Sequence, residues 1–179
     1  MATGDVLLFE EKSFGTGDIF GDLVVEFTHG PFVHSEVQTD DTHSIGEIEL
    51  GLEAHPIPTT YKSVVTIPIQ GAIETGLAWV GGQNLAALQH KRPYGFASLA
   101  NAAFKMLHLP LRIAIPNEWD CSEFVTLYLE QARAVPPTLA ALLSDRSAIS
   151  PNDIARAFGI LPPESNPTLM TSTARAAYR

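Results

Sequence analysis

Short apolar runs dominate the first third of the chain, and most carry the two-residue alternation of half-buried strands. Asp5–Glu10 is an apolar run bounded by glycine and by charge, which predicts a buried strand. Phe32–Gln38 alternates well enough for a second strand, with His34 and Glu36 alternating along it. Asp40 and Asp41 turn it into Ser44–Leu50, which predicts an antiparallel hairpin. Ser63–Ile69, rich in β-branched residues, adds a further strand. Asp22–Thr28 is ambiguous between strand and short helix, and the glycine-containing stretch before it reads as a loop.

After Gln70 the period lengthens. Ile73, Leu77, Val80 and Leu85 fall near a helical repeat, with Gly81 and Gly82 tolerated in its middle. A second helix is expected over Phe96–Leu107, followed by a proline-punctuated connection that contains a short extended piece, Arg112–Ile115. From Cys121 the residues Phe124, Val125, Tyr128, Leu129 and Ala132 form one continuous helical face that runs to about Arg133. Asp120 and Glu123 have the spacing of a capping box at its start. Thr138–Leu143 supplies another turn or two, and Ser150, Pro151 and Asp153 open a helix that stops near Gly159. The pattern predicts an α+β domain over residues 1–160, a small antiparallel sheet of about 4–5 strands packed against helices, and a loosely packed tail over residues 161–179.

Composition narrows the function classes. At 179 residues with 45% hydrophobic side chains, the chain can build one real core. A net charge of −9 argues against nucleic acid as a partner. No apolar run has the ~18 residues of a spanning helix, so no stable membrane insertion is expected. No basic-then-apolar leader opens the sequence, which leads to the expectation of a cytoplasmic protein, with delivery by phage or secretion machinery as the other route. The single cysteine permits no internal disulfide and no thiolate-rich zinc site. No cofactor is expected, and the sequence does not fix an oligomeric state.

That cysteine is the first candidate for chemistry. A lone cysteine is ordinarily a small buried hydrophobe. As the first residue of a capped helix, however, Cys121 faces unpaired backbone N–H groups and the positive end of the helix dipole, a setting that favours thiolate. A thiol nucleophile needs a base, and the base needs an orienting group behind it. Among the six histidines, His34 is the best placed because it sits within a strand, and His29 lies beside a turn. His55, before Pro56 in an expected connection, reads as an ordinary surface histidine, as do His90 and His108. The partner strand of the hairpin offers Glu47 and Glu49, with His43 near its start, as orienting groups. A metal site built on His29, His34 and His43 lacks any zinc-type spacing, so no metal is expected.

Five fragments in order carry a family resemblance: Gly4–Phe9, Thr28–His34, Lys91–Phe96, Asp120–Val125 and Ile149–Ile154. Together they resemble the circularly permuted NlpC-type, papain-like cysteine hydrolases, the YiiX-like group, in which the histidine strand precedes the cysteine helix. The resemblance implies a permuted papain-like fold, Cys121 as nucleophile, His34 as general base and a polar third member on the following strand. By spacing, that third member falls near Gly46 or Glu47, and Glu47 is the choice, with Glu49 and His43 as rivals. Tyr94 resembles a tyrosine close to the reacting centre in such domains, suited to positioning the substrate or the oxyanion. The implied activity is a cysteine hydrolase, peptidase or amidase in type, working on a small peptide or acyl substrate through a thioacyl-enzyme. The alternatives are a catalytically inactive papain-like binding or assembly module, and a lipid acyl hydrolase or acyltransferase.

Overall fold

The computed structural model describes residues 3–11, 30–48, 51–90 and 119–163. Among these residues, five strands form one antiparallel sheet: β1 (Val6–Glu10), β2 (Phe32–Gln38), β3 (His43–Ile48), β4 (Gly51–Pro56) and β5 (Ser63–Ile67), in the order β4-β3-β2-β1-β5. Helix α1 (Ile73–His90) follows, then α2 (Cys121–Gln131), α3 (Pro137–Ala140), a 3-10 turn over Leu143–Ala148 and α4 (Pro151–Ala157). The chain is therefore an α+β fold with an antiparallel sheet, as the alternation pattern predicts.

Strand β4 is the element that the sequence pattern hides. Gly51, Glu53, Ala54 and Pro56 are poor strand formers, and the segment is held as an edge strand by pairing to β3 along its whole length, with Pro56 at its end. His55 therefore lies on a strand, opposite Ser44, and not in a connection.

Helix α2 is the centre of the core. Asp120 adopts an extended backbone and its carboxylate accepts from Glu123 N–H at 2.7 Å, which caps the helix at the cysteine. Cys121, Phe124, Val125, Tyr128, Leu129 and Ala132 are all buried, so the predicted stripe is the face that packs inward. It rests on β2 and β3, with α1 alongside. Burying each large apolar side chain of that stripe contributes about 1.5–3 kcal/mol. Tyr128 sends its hydroxyl from this stripe to the Gly4 carbonyl, tying the helix to the turn before β1.

Helix α4 begins with a full capping box, in which Ser150 accepts from Asp153 N–H and the Asp153 carboxylate accepts from Ser150 N–H. It ends at Gly159, whose φ of +73° lets Ile160 N–H reach the Ala155 carbonyl at 2.8 Å. No helix among the described residues is long and apolar enough to cross a membrane. The segment Asp22–Thr28, the helix expected over Phe96–Leu107, the piece Arg112–Ile115 and residues 164–179 of the expected tail lie outside the described residues.

Candidate active site

The site is assembled from the start of α2 and the middle of the sheet. His34 on β2 and Cys121 at the head of α2 are both buried. Although 87 residues separate them in sequence, the thiol is a side-chain hydrogen-bonding partner of the His34 ring. On the ring's other side, Nε2 meets the Glu36 carboxylate at 2.8 Å. Nε2 being engaged by Glu36, Nδ1 is the nitrogen left to serve the sulfur.

Glu36 is itself fully buried and held from several directions. Ser44 on β3 donates its hydroxyl to Oε2. His55 on β4 brings Nε2 to 3.2 Å from Oε1, the same oxygen that His34 contacts. Burial opposes the charged form of Glu36, but the hydrogen bond and charge of His34, the Ser44 hydroxyl and the charge of His55 outweigh it and hold the carboxyl below its ordinary range. Burial likewise opposes a charged His34. The negative charge and hydrogen bond of Cys121, followed by those of Glu36, overcome it and push the imidazole up to about 10. The ring thus stands between two groups that both favour its charged form.

Backbone geometry explains how these side chains meet. Residues two apart on a strand share a face, so Glu36 stands next to His34. The β2–β3 register pairs Val37 with Ile45 and Gln38 with Ser44, and its continuation sets Glu36 opposite Gly46. A Cβ on Gly46 would lie 2.5 Å from Glu36 Cγ. The bare glycine leaves the space that the carboxylate fills.

Just before His34 the register between β1 and β2 slips, from Phe9 opposite His34 to Glu10 opposite Phe32, leaving Val33 as the extra residue of a bulge. Asn152 of α4 clamps the strand at this point. Its Oδ1 accepts from Phe32 N–H at 3.0 Å and its Nδ2 donates to the Phe32 carbonyl at 2.8 Å. Two aromatic rings flank the imidazole, Phe9 at 5.6 Å and Tyr61 at 6.2 Å, the latter nearly parallel at 14°. Near the other partner, Trp79 of α1 packs on Trp119 and Phe124, next to the turn that leads into Cys121.

Of the residues singled out from the sequence, Cys121 and His34 come together. The carboxylate on the far ring nitrogen is that of Glu36, where spacing from the histidine points to Glu47. Glu47 is buried on β3 and pairs with Leu52. Gly46 and Ser44 share the Glu36 side of that strand, so alternation sends Glu47 to the opposite side with Ile45. His43 is exposed and engaged at the hairpin turn, its Nδ1 being 2.9 Å from Thr42 Oγ1 and 3.2 Å from Asp40 Oδ1. Tyr94, Glu49, His29 and His108 lie outside the described residues.

Three contributors escape the sequence reading. Glu36 was within reach of it, since it lies two positions from His34. His55 is hidden by the weak strand signal of β4, and Tyr61 by a loop with no periodicity. Among the described residues no group of three or more histidine, cysteine, aspartate or glutamate side chains is placed to hold a metal ion. Neither a protein-family model nor a curated protein matches the chain.

Proposed function

We propose that the chain is a cysteine hydrolase of the permuted papain-like type, with Cys121 as nucleophile, His34 as general base and Glu36 as the residue that orients the histidine. The observation that carries this reading is the continuous chain of contacts from the Cys121 sulfur through the His34 ring to the Glu36 carboxylate. A buried cysteine of purely structural use has no need of a charged ring beside it, nor that ring of a buried carboxylate.

In this reading His34 takes the thiol proton and the sulfur attacks an acyl carbon, forming the C–S bond as the carbonyl π electrons move to oxygen. The backbone N–H of Cys121, at the free end of α2, donates to the developing oxyanion. As the tetrahedral species collapses, His34 gives its proton to the departing amine or alcohol. Water, deprotonated by the same ring, then attacks the thioacyl-enzyme and releases the acid. Glu36 fixes the ring's orientation and stabilises its positive charge throughout. The substrate class is a carboxylic amide or ester, as in a small peptide or an acyl lipid.

Alkylation by iodoacetamide at pH 6 tests the reading. Cys121 is expected to react faster than a free thiol, and to lose that advantage in His34→Ala. A rate no faster than that of a free thiol, unchanged in His34→Ala, would overturn it in favour of a non-catalytic binding or assembly module.

A further inference from the structure

The two oxygens of the Glu36 carboxylate are held separately. Oε1 meets the His34 ring at 2.8 Å, with His55 of β4 at 3.2 Å, and Oε2 accepts from the Ser44 hydroxyl on β3. Among the described residues Ser44 alone engages Oε2. Ser44 and Glu36 are both fully buried, so neither exchanges this contact for one with water. The last torsion of a glutamate is broad, and its carboxylate swings unless both oxygens are engaged. A hydrogen bond to an imidazole weakens steeply as its acceptor turns out of line.

The pairing of β3 with β2 delivers this donor. Gln38 lies opposite Ser44, and the continued register sets Gly46 opposite Glu36, so Ser44 is the diagonal neighbour of Glu36 on the same side of the sheet. The Glu36 side chain crosses bare Gly46, where a Cβ would lie 2.5 Å from its Cγ, and its far oxygen ends at Ser44. Ser44 and Gly46 thus form a receptacle in two parts, the glycine supplying space and the serine a donor at the end of it.

We propose that Ser44 is a positioning residue of this site, holding Oε2 of Glu36 so that Oε1 stays in line with Nε2 of His34. This rests on the reading of His34 as the general base and Glu36 as its orienting group. The contacts then run as one relay from Cys121 through His34 and Glu36 to Ser44, whose hydroxyl never touches substrate. That hydroxyl favours the charged carboxyl over the neutral one, in the same direction as the lowered value of Glu36. Two titratable side chains reach the same carboxylate, His34 on its own strand and His55 on β4, and Cys121 acts on it through the His34 ring.

The test compares Ser44→Thr with Ser44→Val in the full chain. The two side chains share one shape and both suit a strand, and only threonine keeps the hydroxyl. His34, His55 and Cys121 are the same in both, so the comparison does not depend on the charge that any of them carries. The Glu36 carboxyl is titrated by NMR without substrate or reagent, and its midpoint is expected to lie about 1 pH unit higher in Ser44→Val than in Ser44→Thr. Alkylation of Cys121 at pH 6 is expected to be about tenfold slower in Ser44→Val, with Ser44→Thr close to the unaltered protein. Equal midpoints in the two variants, or separated midpoints with equal alkylation rates, overturn the proposal. Should the added methyl prevent folding, Ser44→Ala is compared with the unaltered protein in the same two measurements. A Cys121 that reacts no faster than a free thiol in the unaltered protein is the failure of the hydrolase reading, and the Glu36 midpoints still test the Ser44 contact.

Discussion

The Glu36 side chain occupies the volume that any residue other than glycine would claim at position 46, with only 2.5 Å between its Cγ and the site of a Cβ there. In the sequence, Gly46 reads as the place where an orienting residue is missing. In the fold it is the vacancy that the carboxylate side chain from the histidine's own strand fills, beside the His34 ring.

Gly46→Ala should therefore act on the site through Glu36. The added methyl is expected to push the carboxylate off the His34 ring and to cost about 1–3 kcal/mol of stability, as overpacking does. Urea denaturation gives the stability change, and the alkylation rate of Cys121 should fall with it. An alkylation rate equal to that of the unaltered protein would mean that Glu36 moves without consequence for the ring.

Glu36→Gln keeps the shape and removes the charge. Hydrolysis is expected to drop by about 10²-fold or more, in the range found when an orienting or proton-transferring group is neutralised. Glu47→Gln, on the other side of β3, is expected to change turnover far less. Comparing kcat/KM for the two variants on one acyl substrate decides between the two glutamates.

Stability should depend on pH in two directions. The folded Glu36 carboxyl lies below its ordinary value of 4.5, so its contribution is complete above that value and is lost as pH falls through the folded one. The folded His34 lies above its ordinary 6.5, so its contribution is complete below 6.5 and is lost as pH rises toward about 10. Both contributions are whole between about 4.5 and 6.5. The difference in urea midpoint between the unaltered protein and a His34→Gln, Glu36→Gln double variant should be greatest in that window and should shrink on either side.

Asn152→Ala removes both hydrogen bonds that α4 makes to Phe32 and leaves a buried backbone N–H and carbonyl without them. A loss of about 2–3 kcal/mol is expected. Asn152→Asp keeps the acceptor for Phe32 N–H but loses the donor, and should fall between the two in urea denaturation.

Much of this arrangement is legible in the chain. The stripe from Cys121 to Ala132 needs only the helical period, and His34 is placed by the alternation of its strand. Glu36 was visible on the same face by the same rule. Choosing between it and Glu47 requires the cross-strand register, which depends on the hairpin's turn and on what fills the space at Gly46, and neither can be read from a single strand. His55 is harder still, because β4 is a strand by virtue of its pairing with β3 and not of its own residues.

The contact between Asn152 and Phe32 spans 120 positions of the chain. During synthesis, the histidine strand and the cysteine helix both emerge well before the residue that pins the bulge beside His34. A chain released between residues 133 and 151 would carry Cys121, His34 and Glu36 yet lack the clamp that fixes the start of the histidine strand. The helix that carries Asn152 thus gives the fold an order of completion, in which Cys121, His34 and Glu36 are all made before the clamp that fixes the start of the histidine strand.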